Sequence, residues 1–132
     1  MNERLRDWAV GFLKHKDTFR NNLKDIENTE NGFIAHFKDK DERYIIQENL
    51  DFENIPKNEN VCFVTLNNQK NFNKLLAEWK IIVMFKHLTI IFVEKIADGK
   101  HWVVNPHIHD RISDKSSLKP GLKSLFESAK GN

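Results

Sequence analysis

A chain of 132 residues that is 39% apolar, with ten phenylalanines and three tryptophans, has the size of one domain and enough apolar mass for a buried core. Its 21 basic and 19 acidic residues leave a net charge of +2, which argues against a protein that holds nucleic acid by sheer excess of positive charge. One cysteine rules out an intrachain disulfide, and five glycines with three prolines leave little room for long disordered linkers.

Lysines outnumber arginines 16 to 5 and there are 15 asparagines. Both residues have AT-rich codons, so their abundance is not in itself a binding signal. The longest apolar stretch, IIVMF at 81–85, is too short to span a bilayer. The start, MNERLRDWAV, carries acids early and no long apolar run, so neither a signal peptide nor an anchor is expected. With its lone thiol, the chain is expected in the cytoplasm.

Leu5, Trp8, Ala9, Phe12 and Leu13 recur at helical spacing, and Phe19, Leu23 and Ile26 continue the stripe. They predict an amphipathic helix from residue 3 to residue 27, with a break near His15 to Thr18 where Asp17 or Thr18 caps a second segment. Asn31-Gly32 ends it. GFIAHFKD and ERYIIQEN flank Asp39-Lys40-Asp41 and predict a hairpin. Residues 49–60 are polar, contain Pro56 and predict a loop. VCFVTL, 61–66, is apolar on both faces and predicts a central strand.

Phe72, Leu75, Leu76, Trp79, Ile82 and Val83 follow the helical period, with Asn67 or Asn68 as cap and an end near Lys86. LTIIFVEK, 88–95, predicts a second buried strand. Asp98-Gly99 marks a tight turn, from which HWVVN, 101–105, returns antiparallel until Pro106 stops it. His107 to Ser117 reads as loop. Leu118, Leu122, Leu125, Phe126 and Ala129 form the face of a last helix, with Gly131 past its end and Pro120 tolerated only in its first turn. The order α-β-β-β-α-β-β-α places the chain in the α/β (α+β) class, a mixed sheet with helices packed on it, as a single domain over 1–132.

The order α-β-β-β-α-β resembles the core of the restriction-endonuclease-like nucleases. That resemblance implies an acid near the end of the second strand and an acid-x-Lys on the third, holding Mg²⁺ and an attacking water. Gln47-Glu48-Asn49, with Asp51 beyond, supplies the first acid. The third strand offers Thr65 and Asn67 where the acid and the lysine belong, and the nearby Glu78-Trp79-Lys80 falls in a helix. The resemblance is therefore one of fold, without the catalytic motif.

Candidate chemistry concentrates in HWVVNPHIHDRISDK, 101–115. In an extended chain His107 and His109 share a face, with Asp110 or His101 nearby, a spacing that suits zinc or iron. As a polar loop, the same segment lets Asp110 or Asp114 cap the next helix, with Arg111 balancing them. Lys119 and Lys123 lie one turn apart beside this loop and Trp102, and together with Arg111 suggest a phosphate-binding patch. Lys14, Lys16 and Arg20 cluster near the start. Cys62 lies between Val61 and Phe63 and is expected to be an inert core thiol. Gly32, Gly99, Gly121 and Gly131 fit turns or helix ends, and no dinucleotide, P-loop or nucleophile-elbow motif occurs.

Three functions follow as expectations. The first is a non-catalytic binding or interaction protein that contacts a protein or nucleic acid through His107, His109, Asp110, Arg111, Lys119 and Lys123, with no cofactor. The second is a metal-dependent hydrolase or nuclease with a divalent ion on His107, His109 and Asp110. The third is a homo-oligomerisation module, a homodimer joined through its first helix.

Overall fold

The computed structural model describes residues 2–130. Helix α1 spans Glu3–Lys16. Asn2 caps it, its side chain accepting from the Leu5 N–H at 3.0 Å, and Lys14, His15 and Lys16 fill the last turn, where the helix dipole favours cations. Leu5, Ala9 and Leu13, four residues apart, form the buried stripe, each leucine contributing about 2 kcal/mol.

The helix expected to reach residue 27 stops at Lys16. The Asp17 carboxylate accepts from the N–H groups of Asn22 and Leu23 at 3.0 and 2.9 Å, and Asn21 takes a left-handed φ of 47°. The chain then enters strand β1, Leu23–Thr29. Leu23 and Ile26 do face the core, but from a strand. The register shifts between Leu23 and Asp25, and the extra residue of a bulge brings the same face back after three residues instead of two. A bulged strand thus imitates a helical stripe. Phe19, expected in that stripe, is 98% exposed.

The remaining strands are β2 (Gly32–Phe37), β3 (Asp41–Ile46), β4 (Asn60–Leu66), β5 (Leu88–Lys95) and β6 (Lys100–Val104). They form one mixed sheet in the order β1-β2-β3-β4-β5-β6. β3, β4 and β5 run parallel, and every other pair is antiparallel. The class expected from the sequence is the one observed. The element order differs: four strands lie between α1 and the next helix, so the order that carried the nuclease resemblance is not that of the molecule. Thr65 and Asn67 are buried and tied to structure, to the Glu48 carbonyl and to the Glu94 carboxylate and Phe126 carbonyl respectively.

Two crossovers join the parallel strands. One is the segment 47–59. The other is α2 (Gln69–Ala77), capped by Asn68 as expected, followed by α3 (Trp79–Ile82); a break at Glu78 divides the single helix predicted there. Successive right-handed crossovers in one direction fall on one face of a sheet. Leu50, Phe52 and Ile55 of the first and Phe72, Leu75, Trp79 and Ile82 of the second indeed share one cluster with Phe63, Ile90 and Phe92. Helix α5 (Lys115–Lys130) joins it through Leu122 and Phe126, with Phe126 stacked on Phe72 at 4.7 Å and Trp102 on Phe92 at 4.5 Å. α5 begins earlier than predicted, which places Pro120 inside it; the carbonyl deprived of a partner is that of exposed Ser116. Gly131 lies outside the described residues. No helix among them is long and apolar enough to cross a membrane.

On the opposite face α1 packs over Phe33, Ala35, Ile46, Val64 and Val93. This asymmetry sets where a ligand has room.

His36 on β2 links three strands. Its ring nitrogens lie 2.8 Å from an Asp41 oxygen and 2.9 Å from a Glu27 oxygen. Carboxylates only accept, so the arrangement is complete when both nitrogens carry protons. The bond to Glu27, then that to Asp41, raise the His36 pKa above its ordinary 6.5. A raised folded pKa adds stability that is fully present below the unfolded value and fades as pH rises through the folded one. The stability difference between wild type and His36→Gln is therefore expected to be largest in mild acid and to shrink toward alkaline pH, as urea melts across that range will show. A difference that grows with pH contradicts the assignment.

Candidate functional site

The segment after β6 is helical. Asn105 accepts from the Ile108 N–H at 3.0 Å and Pro106 takes the first helical position, which starts α4, Pro106–Ile112. On a helix, residues two apart point about 200° away from each other, so the shared face expected for His107 and His109 in an extended chain is absent. His107 Nδ1–H donates to the Val83 carbonyl at 2.9 Å. His109 turns back on the cap, its Nδ1 3.1 Å from the Asn105 carbonyl oxygen. Asp110 accepts from Trp79 Nε1 at 3.0 Å. His107 and Asp110 thus fasten α4 to the two ends of α3, and His109 closes on the cap of α4 itself. His101 is held elsewhere, its Nδ1–H on the Gly99 carbonyl and its ring edge-on to Trp8 and Phe12. Among the described residues no three His, Cys, Asp or Glu side chains gather to hold a metal ion.

The basic residues divide as well. Lys119 and Lys123 are exposed on α5, which packs beside α2 on the face of the sheet away from α1, and Lys123 lies 3.9 Å from Glu127. Asp114 stands just before α5, where its carbonyl accepts from Leu118 N. Arg111 instead joins residues from distant parts of the chain. A sheet of six strands is about 24 Å wide, whereas one helix covers about 10 Å. α1 therefore leaves part of its face open, and the opening is a groove of about 500 Å³.

Tyr44, Cys62, Thr89, Ile91 and Val103 floor this groove; they alternate with the residues facing α2 and α5. Phe12 and Lys16 of α1 form one wall, His107, Ile108 and Arg111 of α4 another, and Lys40, Lys86 and His87 project from loops at the rim. Four permanent cations, Lys16, Lys40, Lys86 and Arg111, meet one carboxylate, Glu42. Glu42 is committed to Lys40 and to the Tyr44 hydroxyl, which donates to it at 2.8 Å. Other carboxylates at this end are engaged too: Asp17 with backbone N–H groups, Asp39 with Asn22, Asp41 with His36 and Glu59 with Arg43. None of the ion pairs among the described residues involves Lys16, Lys86 or Arg111. A chain close to neutral overall thus presents a locally positive groove.

The floor is poor in reactive groups. Cys62 is buried, and burial pushes its thiol well above the usual range. Burial does the same to Tyr44. Neither ionises near neutral pH, so the arrangement suits recognition of charge better than nucleophilic attack. An adjoining hollow of about 580 Å³, with Ile55, Ile81, Met84 and Phe85 in its lining, shares Lys86 and His87 with the groove but is mainly apolar.

Of these residues, Arg111 and His107 were legible as candidates and Lys16 as part of a basic cluster. Lys40 and Lys86 were not, because only the parallel pairing of β3, β4 and β5 brings their loops to one rim. No protein-family model, no curated protein and no solved structure matches the chain.

Proposed function

We propose that this chain is a non-catalytic binding protein that takes a phosphate-rich polyanion, a nucleic acid, in the groove between α1 and α4. The observation that supports this reading is the convergence of Lys16, Lys86 and Arg111 without carboxylate partners, next to acids already committed to structure. Lysine supplies point charges to phosphates, and arginine adds a fork that matches two phosphate oxygens. Lys16 is also favoured by the C-terminal dipole of α1, which accounts for that residue but not for Lys86 or Arg111.

The test is titration of a labelled single-stranded oligonucleotide, followed by fluorescence anisotropy across a salt series. Three phosphate contacts, from Lys16, Lys86 and Arg111, predict a slope of log K against log salt of about −2 for a single strand. The Lys16→Glu/Arg111→Glu variant replaces two attractions by repulsions and is expected to lose roughly 100-fold in affinity with a shallower slope. Both positions are exposed, so the fold should tolerate the change. Binding that ignores salt, or a variant that binds like wild type, removes the groove from consideration.

A further inference from the structure

We propose that the strand in this groove is single-stranded and that Phe19 is the platform on which one of its bases stacks; this rests on the groove reading above. Phe19 is 98% exposed, the most exposed of the large apolar side chains among the described residues. It sits in the turn between α1 and β1, and that turn is braced. The Asp17 carboxylate holds the N–H groups of Asn22 and Leu23, the Asn21 N–H donates to the Asp17 carbonyl at 2.8 Å, and the Asn22 side chain donates to Asp39 at 3.0 Å. A braced turn that presents a phenyl ring to water has already met the ordering cost of a binding surface.

The position matters as much as the exposure. Arg20, the next residue, lines a recess with Lys16, Lys40, Glu42 and Tyr44, which also line the groove, and with Asp17 and Asp39, which are engaged by the turn's N–H groups and by the Asn22 side chain. The recess is therefore a continuation of the groove, and Phe19 belongs to the turn whose Asp17, Arg20 and Asn22 line it. Unpaired cations near an exposed aromatic ring are an arrangement that holds unpaired strands, where phosphates meet the charge and a base stacks on the ring. A base inside a duplex has both faces covered by its neighbours and has none to offer Phe19. An acidic peptide would use the same cations but would gain nothing from the ring.

Three probes of equal length separate base stacking from charge alone and from an acidic peptide: single-stranded DNA, an abasic deoxyribose-phosphate strand and polyglutamate. Wild type is expected to bind the DNA about tenfold more tightly than the abasic strand, which is the worth of one stacked base. Phe19→Ala should lose that advantage while its thermal midpoint and its affinity for the abasic strand stay unchanged, and Phe19→Trp should restore it. If Phe19→Ala binds DNA as well as wild type does, and the abasic strand still binds in a salt-dependent manner, stacking is overturned and the groove reading stands. If no strand binds, or Lys16→Glu/Arg111→Glu changes nothing, both fall together. Polyglutamate that binds as tightly as the DNA overturns the nucleic-acid assignment in favour of an acidic peptide.

Discussion

Replacing Asn71 by alanine is expected to destabilise the protein by about 4 kcal/mol, one of the largest losses available from a single polar side chain here. Asn71 is 1% exposed. Its Oδ1 accepts from the Leu50 N–H at 2.8 Å, and its Nδ2 donates toward the carbonyls of Glu48 and Leu66, each at 2.8 Å, and the Thr65 hydroxyl at 3.0 Å. One amide thus ties the start of the first crossover to the C-terminal end of β4. Alanine leaves the Leu50 N–H without a partner, at about 1–3 kcal/mol where water cannot reach it, and takes one donor from each of the Glu48 and Leu66 carbonyls, which keep the Thr65 hydroxyl and the Asn68 N–H, at about 1 kcal/mol each. For a chain of this size the thermal midpoint should fall by roughly 15 °C. Asn73→Ala, two residues on and exposed, should change stability by no more than about 0.5 kcal/mol. A fall of less than about 5 °C for Asn71→Ala would mean that water enters and replaces the amide. Because Asn71 lies at the other end of β4 from the groove, ligand affinity of the folded fraction should not change.

The sheet was more legible than its edges. VCFVTL and LTIIFVEK are apolar on both faces because they lie at the centre of a sheet covered on both sides, and continuous apolar runs of that length leave few alternatives. β1 was hidden by its bulge. An edge strand with one solvated side needs few apolar residues, and the bulge moved the two it has, Leu23 and Ile26, into helical spacing. α4 is hidden because Pro106 is also a residue that ends strands. Asn105-Pro106 is equally a cap followed by the favoured first helical residue, and the Asn105 side-chain bond to the Ile108 N–H shows the helix using it.

The candidate site was less legible, for a related reason. Histidines two apart look convergent only in an extended chain, so misreading α4 also misplaced His107, His109 and Asp110. What the sequence cannot display in one dimension is which charges are committed. Net charge counts Asp17, Asp41 and Glu59 against the lysines. In the fold those acids hold a turn, His36 and Arg43, and the cations at the groove are left for something else. Phe19 makes the same point from the apolar side. A phenylalanine following a helical stripe is expected inside, and only the Asp17 turn puts it outside.

Gly32→Ala is expected to cost about 3–4 kcal/mol and to loosen the sheet from the β2–β3 end. The sequence places Gly32 at a turn after Asn31, which suggests freedom of φ. Yet Gly99 is the only glycine with positive φ among the described residues, so at Gly32 it is the missing side chain that counts. Gly32 pairs with Thr29 on one side and Ile45 on the other. A Cβ there would run into the Tyr44 carbonyl oxygen, and would lie 2.9 Å from its carbon and 3.3 Å from the Ile45 Cα. These are backbone atoms of β3 and cannot rotate away, so relief requires β2 and β3 to part. Exchange of the Ile46 amide, which donates to the Asn31 carbonyl at 2.9 Å beside this contact, should speed up before that of β4 and β5. Tyr44 is also part of the groove floor, so the same displacement should weaken ligand binding even in the fraction that stays folded. Gly11→Ala offers the contrast: a Cβ at Gly11 meets nothing within 4 Å, the residue lies in α1, and alanine should add up to about 1 kcal/mol. If the two alanines shift the urea midpoint by similar amounts, the close approach of β3 to Gly32 is not what the glycine is there to permit.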